Sequence, residues 1–241
     1  MIGRRAGVDS REMQVFGARF VPPPSGPLLD TGMSDLVTWM NTDHRGKIDP
    51  VVAAAMAHYQ FETLHPFRDG NGRLGRFLIV DYLLQCGVLS EPTLSVSPWF
   101  EARCPEYYDR LLRVSTHNDW EPFVSFFARG LGDSTKTTMA EMLSLVRVQE
   151  LLKQVVRDSP LRADTAQALV DLAVATPSFT VRAAAERLGV SIVRANTLVK
   201  QLTGIGVLAE VPGANRKRRF YAPAVIDVLT RAPSRAAATV A

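Results

Sequence analysis

The stretch His65-Pro66-Phe67-Arg68-Asp69-Gly70-Asn71-Gly72-Arg73-Leu74-Gly75-Arg76 gathers a histidine, a carboxylate, three glycines, an asparagine and three arginines into twelve residues. An apolar run follows at once, with Phe77, Leu78, Ile79, Val80, Leu83 and Leu84. A core segment has no use for so many polar groups and glycines. A surface loop would not be flanked by segments that look buried. The combination reads as a phosphate-handling loop that opens a buried helix.

The flanks fit that reading. Upstream, Asp49-Pro50 supplies an N-cap followed by proline at the first helical position, predicting a helix over Val51–Leu64 that is rich in alanine. Helical spacing lines up Val51, Ala55, His58, Glu62 and His65. Pro66 ends the helix and pushes His65 out of the α region. Downstream, a helix Asn71–Cys86 is apolar nearly all round, hence central, with Gly87 as its stop.

Three chemistries compete for the loop. Gly70-x-Gly72-x-x-Gly75 matches the dinucleotide fingerprint, with Glu91 at a suitable distance, but that fingerprint needs a strand before it and βαβ alternation after it. Neither is present. Glu62-x-x-His65 is half of a di-iron bundle site, yet the four histidines, His44, His58, His65 and His117, provide no second Glu-x-x-His. The third reading uses every group. Glycines expose backbone N–H groups at a helix N-terminus, an anion site. Arg73 and Arg76, three apart, reach one anion. Asp69 would repel a phosphate unless a divalent cation stood between them, which implies magnesium. His65 can take a proton near neutral pH. Base, metal carboxylate, cradle and clamp together specify phosphoryl or nucleotidyl transfer. A mere capping turn leaves the packing of charges unexplained.

The remaining chain organises around this loop. Prolines bar a helix in Phe20-Val21-Pro22-Pro23-Pro24-Ser25-Gly26-Pro27. The segment is either a stiff loop or an edge for an incoming peptide. Helices are predicted over Ser34–Thr42, Trp99–Arg103, Pro105–His117, Trp120–Leu131 and Ser134–Arg157. The first two-thirds is therefore all helical. Beyond Asp158-Ser159-Pro160, helices over Ala163–Ala175, Thr180–Leu188 and Ser191–Thr203 cross about a turn at Gly189, with Thr180 and Ser191 as caps. Val207–Val211 and Arg218–Tyr221 then read as a hairpin. This is a small α+β winged helix-turn-helix pattern. The expected domains are 1–157, 160–225 and a tail over 226–241.

Composition sets the outer bounds. With 241 residues, 46% hydrophobic content and mean hydropathy +0.02, the chain is a globular protein with one large or two smaller domains. A net charge of +4 permits a nucleic-acid partner without requiring one. Cys86 and Cys104 have no metal-ligand spacing and read as free thiols. No signal peptide or membrane span is visible, so a cytoplasmic location and no membrane partner are expected.

The twelve-residue stretch resembles, without departure, the Fic (Fic/Doc) family signature His-x-Phe-x-(Asp/Glu)-Gly-Asn-Gly-Arg-x-x-Arg. The similarity runs from about Arg19 to Leu131 and includes Phe20–Pro24, His58-Tyr59-Gln60-Phe61-Glu62 and Glu106-Tyr107-Tyr108. It implies a Fic-type helical domain with a short β-hairpin flap near 19–27. It also implies transfer of AMP from ATP to a Ser, Thr or Tyr hydroxyl of a target protein. By the resemblance His65 is the base and Asp69 holds Mg²⁺ on the phosphates. Gly70, Asn71 and Gly72 bind phosphate, Arg73 takes the β/γ end, and Arg76 supports it. Phe67 fixes the loop. Phe20, Val21 and Pro22 belong to the flap that aligns the target, and Tyr108, with Tyr107, walls the adenine side. Where many relatives carry an asparagine, this chain has Ser115.

The resemblance also points to an absence. Many relatives restrain the second motif arginine with a glutamate in Ser/Thr-x-x-x-Glu-(Gly/Asn). None of the ten glutamates here is followed by Gly or Asn. Arg216, Lys217, Arg218 and Arg219 on the wing, with Arg194 and Lys200 on the preceding helix, are candidate DNA contacts. A second copy of the chain is a further candidate partner. Other readings kept open are a DNA-binding regulator that only senses nucleotide, a different nucleotide or phosphate donor, and removal of AMP.

Overall fold

The computed structural model describes residues 21–161, 164–212 and 218–230. The chain divides into two compact units, one up to Thr138 and one from Met139. That division falls inside a helix, whereas the sequence pattern changes at Asp158–Pro160.

The first unit is helical. Helix α1, Pro27–Met40, begins earlier than expected. The reason is Pro27, which occupies the first helical position, where a missing N–H costs nothing. Helix α2, Pro50–Leu64, starts on Asp49, whose side chain accepts from the amides of Val51 and Val52. Ala53, Ala54, Ala55 and Ala57 are buried, so neighbours approach α2 closely. Leu29 and Leu36 of α1 pack on Ala57, Phe61 and Leu64 of α2. At Gly32 a Cβ would sit 2.7 Å from Leu64 Cδ2.

Helix α3, Asn71–Gln85, buries Gly75, Ile79, Val80, Tyr82 and Leu83. It is less enclosed than its composition suggests, since Leu74 and Phe77 are exposed. Helices α4, Ser97–Glu101, and α5, Cys104–His117, follow. The two helices expected over 120–157 are one, α6, Trp120–Asp158, of 39 residues. At Gly130 a Cβ would meet the Trp99 ring at 2.8 Å, so the glycine serves helix packing. Phe123, Phe126, Phe127 and Leu131 of α6 join Phe100, Tyr107 and Ile79 in the main core.

The β-hairpin flap expected near 19–27 lies partly outside the described residues. Phe20 lies outside them, and Val21–Pro24 is irregular up to the turn before α1. Three consecutive prolines remove the donors a ladder needs.

The second unit mixes helix and sheet. Helix α7, Asp164–Ala175, precedes strand β1, Phe179–Thr180. Helices α8, Val181–Leu188, and α9, Ile192–Gly204, flank Gly189, which takes the left-handed conformation at φ 65°. Thr180 and Ser191 cap them by accepting from the amides of Ala183 and Arg194, each at 3.2 Å. Strands β2, Ala209–Glu210, and β3, Arg219–Tyr221, complete an antiparallel sheet of order β1-β3-β2. Phe179 stands opposite Phe220, and Ala209 opposite Tyr221. Leu169, Val170, Leu198, Val199, Leu202 and Phe220 form the core. Residues expected to start a tail are helical instead: α10, Pro223–Thr230, buries Val225.

Candidate active site

The loop between α2 and α3 is held by its own side chains. His65 caps α2 in the left-handed region, φ 45° and ψ 56°, a conformation that a non-glycine residue before proline adopts only under constraint. Pro66 thus moves His65 out of the α region as expected, but not into extended geometry. Its N–H still donates to Phe61 O at 2.9 Å.

Asn71 closes the loop. It is 2% exposed, its Oδ1 accepts from Phe67 N at 2.9 Å, and its Nδ2 donates to Phe67 O at 2.6 Å. The asparagine side chain is therefore engaged within the loop rather than presented at its mouth. Phe67 packs beside α1 and α2, its ring 6.4 Å from that of Phe61.

The N-terminus of α3 is open. Gly70 stands at the cap with φ 84°, and no side chain caps that end. The amides of the first turn have no intrahelical acceptor. Asp69 accepts from the Gly70 amide at 2.7 Å and pairs with Arg73 at 3.4 Å. Both charged side chains are largely exposed. At Gly72 a Cβ would approach Arg76 Nη1 at 3.2 Å, so glycine leaves room for the guanidinium.

Arg76 is only 18% exposed. Its Nε donates to Ser97 Oγ at 2.9 Å and its Nη2 to Glu101 Oε1 at 3.0 Å. The restraining motif of many relatives places Gly or Asn after its glutamate, whereas Glu101 precedes Ala102. Ser97 and Glu101 lie four apart on α4, which places them on one face. That spacing was the available signal.

Beneath the loop lies a buried polar shelf. His58 Nδ1 faces Gly75 O at 3.0 Å and His58 Nε2 faces Tyr107 Oη at 2.7 Å. Burial pushes the His58 imidazole down to about 4 and holds the Tyr107 phenol well above 10. Burial also raises the Glu62 carboxyl to about 7, against the pull of Arg76. Tyr108 is exposed by half, its ring 5.4 Å from that of Tyr107. Ser115 Oγ meets Tyr59 Oη at 2.8 Å.

Part of the basic run Arg216–Arg219 is engaged within the fold. Arg218 donates to Glu210 at 2.7 Å, and Arg219 to Ser178 Oγ and O at 2.8 and 2.9 Å. Arg216 and Lys217 lie outside the described residues. Helix α9 exposes Ile192, Val193, Arg194, Thr197 and Lys200.

The first unit is thus a helical domain built around an open, arginine-lined helix N-terminus. Residues 2–83 match the Fic/DOC family. The chain is 34% identical to the protein adenylyltransferase Fic of Drosophila virilis over 133 residues, 55% of this chain and 25% of that protein. It is 35% identical to the protein adenylyltransferase Fic of Aedes aegypti, over 55% of this chain and 24% of that one. The chain spans about a quarter of the length of these curated relatives. A Fic family protein from Desulfovibrio desulfuricans G20 is 23% identical with a TM-score of 0.44, covering 83% of this chain and 56% of that one. Among the described residues no helix is long and apolar enough to cross a membrane.

Proposed function

We propose that the chain is a protein adenylyltransferase acting in the cytoplasm, moving AMP from ATP to a serine, threonine or tyrosine hydroxyl of another protein. The observation that carries this reading is the uncapped N-terminus of α3 with Asp69 and Arg73 at its mouth and Arg76 behind it. The relatives named protein adenylyltransferase support the donor and the reaction.

His65 takes the proton of the acceptor hydroxyl as its oxygen bonds to the α-phosphorus. The bond from that phosphorus to the α–β bridging oxygen breaks, and pyrophosphate leaves. The first-turn amides of α3, including those of Gly72 and Asn71, stabilise the phosphate oxygens. Arg73 and Arg76 neutralise the departing end. The Asn71 side chain keeps the loop shut so that those amides stay aimed. Tyr108 borders the base, and Phe20, Val21 and Pro22 guide the target peptide.

Among the described residues no group of three or more His, Cys, Asp or Glu is arranged to hold a metal. One exposed carboxylate, Asp69, suits Mg²⁺, which is held by one or two carboxylates together with nucleotide phosphates and water. The ion, when bound, supplies charge neutralisation on the phosphates.

The test is incubation of a lysate with ATP labelled in the α-phosphate, Mg²⁺ and purified protein, with GTP, UTP and CTP in parallel. Labelled target bands are expected with ATP, reduced by at least ~10²-fold in His65→Ala. Absence of labelling with every nucleotide would sink the reading.

A second activity for the C-terminal unit, contact with DNA phosphates through α9, is favoured by charge. Residues 139–241 hold 14 of the 28 basic but only 8 of the 24 acidic residues. Duplex binding whose affinity falls steeply with salt supports it. With Arg218 and Arg219 engaged in the fold, Arg194→Ala and Lys200→Ala are the informative variants.

A further inference from the structure

The far end of α2 and α3 carries chemistry that the transfer reaction does not use. Pro50, which starts α2, and Gln85, which ends α3, line a cavity of about 360 Å³. The loop joins the opposite ends of these 15-residue helices, which puts the cavity ~22 Å away from it. Its volume falls within the ~300–1,000 Å³ of small-ligand sites. Met40 and Ile48 add apolar walls, and the Tyr82 and His44 side chains line it too. Trp39 braces both rings, its centroid 4.4 Å from that of His44 and 6.2 Å from that of Tyr82.

The polar groups of this lining mostly accept. Asn41 Nδ2 donates to Val37 O at 2.8 Å and Gln85 Nε2 to Asp81 Oδ2 at 2.7 Å, which leaves each side-chain carbonyl to accept. His44 Nε2 faces Trp39 O at 2.9 Å. A carbonyl only accepts, so Nε2 carries the proton and Nδ1 is the acceptor of the neutral ring. Helices α1 and α3 both end here without Lys, Arg or His in their last turns, and two negative helix ends converge. The positive end of α2 is already answered, because Asp49 accepts from the amides of Val51 and Val52. The two charged side chains, Asp43 and Arg45, pair with each other at 2.8 Å and are exposed. The lining is neutral in formal charge and negative in field.

We propose that this cavity is a second binding site, for a small organic cation: an ammonium group on an apolar or aromatic body. The helix ends and side-chain carbonyls meet the ammonium, and Asp43 draws it to the rim. Met40, Ile48 and Pro50 cover the body, and aromatic rings tolerate a cation beside them. Such walls suit an organic ion better than a hydrated metal ion, and an anion would face only repulsion from the acceptors. The site is independent of the transferase reading.

Chemical-shift titration of the ¹⁵N-labelled full chain with benzylammonium, benzyl alcohol and benzoate, at fixed ionic strength, tests this. Benzylammonium is expected to move the amides of residues 41–46 and 85–87 with a dissociation constant of about 1 mM. Benzyl alcohol is expected to bind at least about fivefold more weakly, and benzoate to leave those amides in place. Asp43→Lys reverses the charge at an exposed position, and Gln85→Trp fills the cavity from another. Each should weaken benzylammonium binding at least about tenfold with the urea midpoint unchanged. Equal binding of the three probes, or binding that survives both substitutions, overturns the proposal. So does the absence of any shift at twenty times the expected dissociation constant. Displacement by MgATP, or shifts confined to residues 71–73, would place the cation at the transfer loop and overturn it as well.

Discussion

His58 Nε2 and Tyr107 Oη lie 2.7 Å apart, joining α2 to α5 beneath the loop. The other ring nitrogen faces a carbonyl, Gly75 O, which only accepts. Nδ1 must therefore carry the proton, and Nε2 accepts from the tyrosine hydroxyl. This single hydrogen-bonded chain ties three helices, α2, α3 and α5, at the level where the first turn of α3 is aimed. Tyr107→Phe leaves a buried acceptor unpaired. It is expected to lower stability by about 1–3 kcal/mol, measured by urea unfolding, with little change in folded-state helix content.

Stability should depend on pH through two buried groups of opposite sign. His58 drops from 6.5 to about 4 in the fold, so its contribution is present above 6.5 and is lost as pH falls toward 4. Glu62 rises from 4.5 to about 7, so the folded state is favoured below 4.5 and loses stability as pH climbs to 7. Each amounts to at most about 3 kcal/mol at 1.36 kcal/mol per unit. Between pH 4.5 and 6.5 the two slopes oppose, and the parent protein should be nearly flat there. Glu62→Gln removes one slope, so its stability should rise from pH 4.5 to 6.5 and then level off. Urea midpoints at half-unit pH steps distinguish the two profiles.

Much of the architecture could be read from local chemistry. Asp49, Thr180 and Ser191 announce helix starts because a short oxygen-bearing side chain satisfies orphan amides. Gly189 announces the turn between α8 and α9 because it must adopt positive φ. The same rules misplaced other elements where packing decided. The break expected between Leu131 and Ser134 is absent from α6, and Gly130 makes room for Trp99. Val225 is held by the second core, so α10 forms where a tail was expected. In the site, spacing puts Asp69 and Arg73 at the start of α3, whereas the inward packing of Phe67 is implied by the family resemblance alone. The pairing of Arg76 with Glu101, 25 residues away, is tertiary and is not marked by the residue that follows the glutamate. The resemblance assigns Asn71 to phosphate, and nothing local shows that its amide closes on Phe67.

Gly75 is required for close approach. A Cβ there collides with Glu62 Oε1 and lies 3.1 Å from His58 Cε1. Gly75→Ala gains helix propensity of about 1 kcal/mol, yet overpacking against a buried carboxyl is expected to outweigh it, for a net loss of about 1–2 kcal/mol. Glu62→Ala in the same background should recover part of the loss, giving a non-additive double-mutant cycle. Additive effects would show that Gly75 and Glu62 do not press on one another.

Glu101 holds Arg76 by a pair that is buried on one side only: the arginine is 18% exposed and the glutamate 63%. Solvent screens such a pair, so its strength is at most about 1 kcal/mol. Removing it should neither unfold the protein nor abolish its chemistry. What it changes is the competition for the guanidinium, because a phosphate no longer has to displace Glu101. Glu101→Ala is therefore expected to tighten MgATP binding by up to about fivefold, read by calorimetry, with the unfolding midpoint unchanged. Ser97→Ala alone should have a smaller effect, since a neutral hydroxyl competes less well than a carboxylate. Weaker binding in Glu101→Ala would mean that the pair holds Arg76 in its working position instead of restraining it.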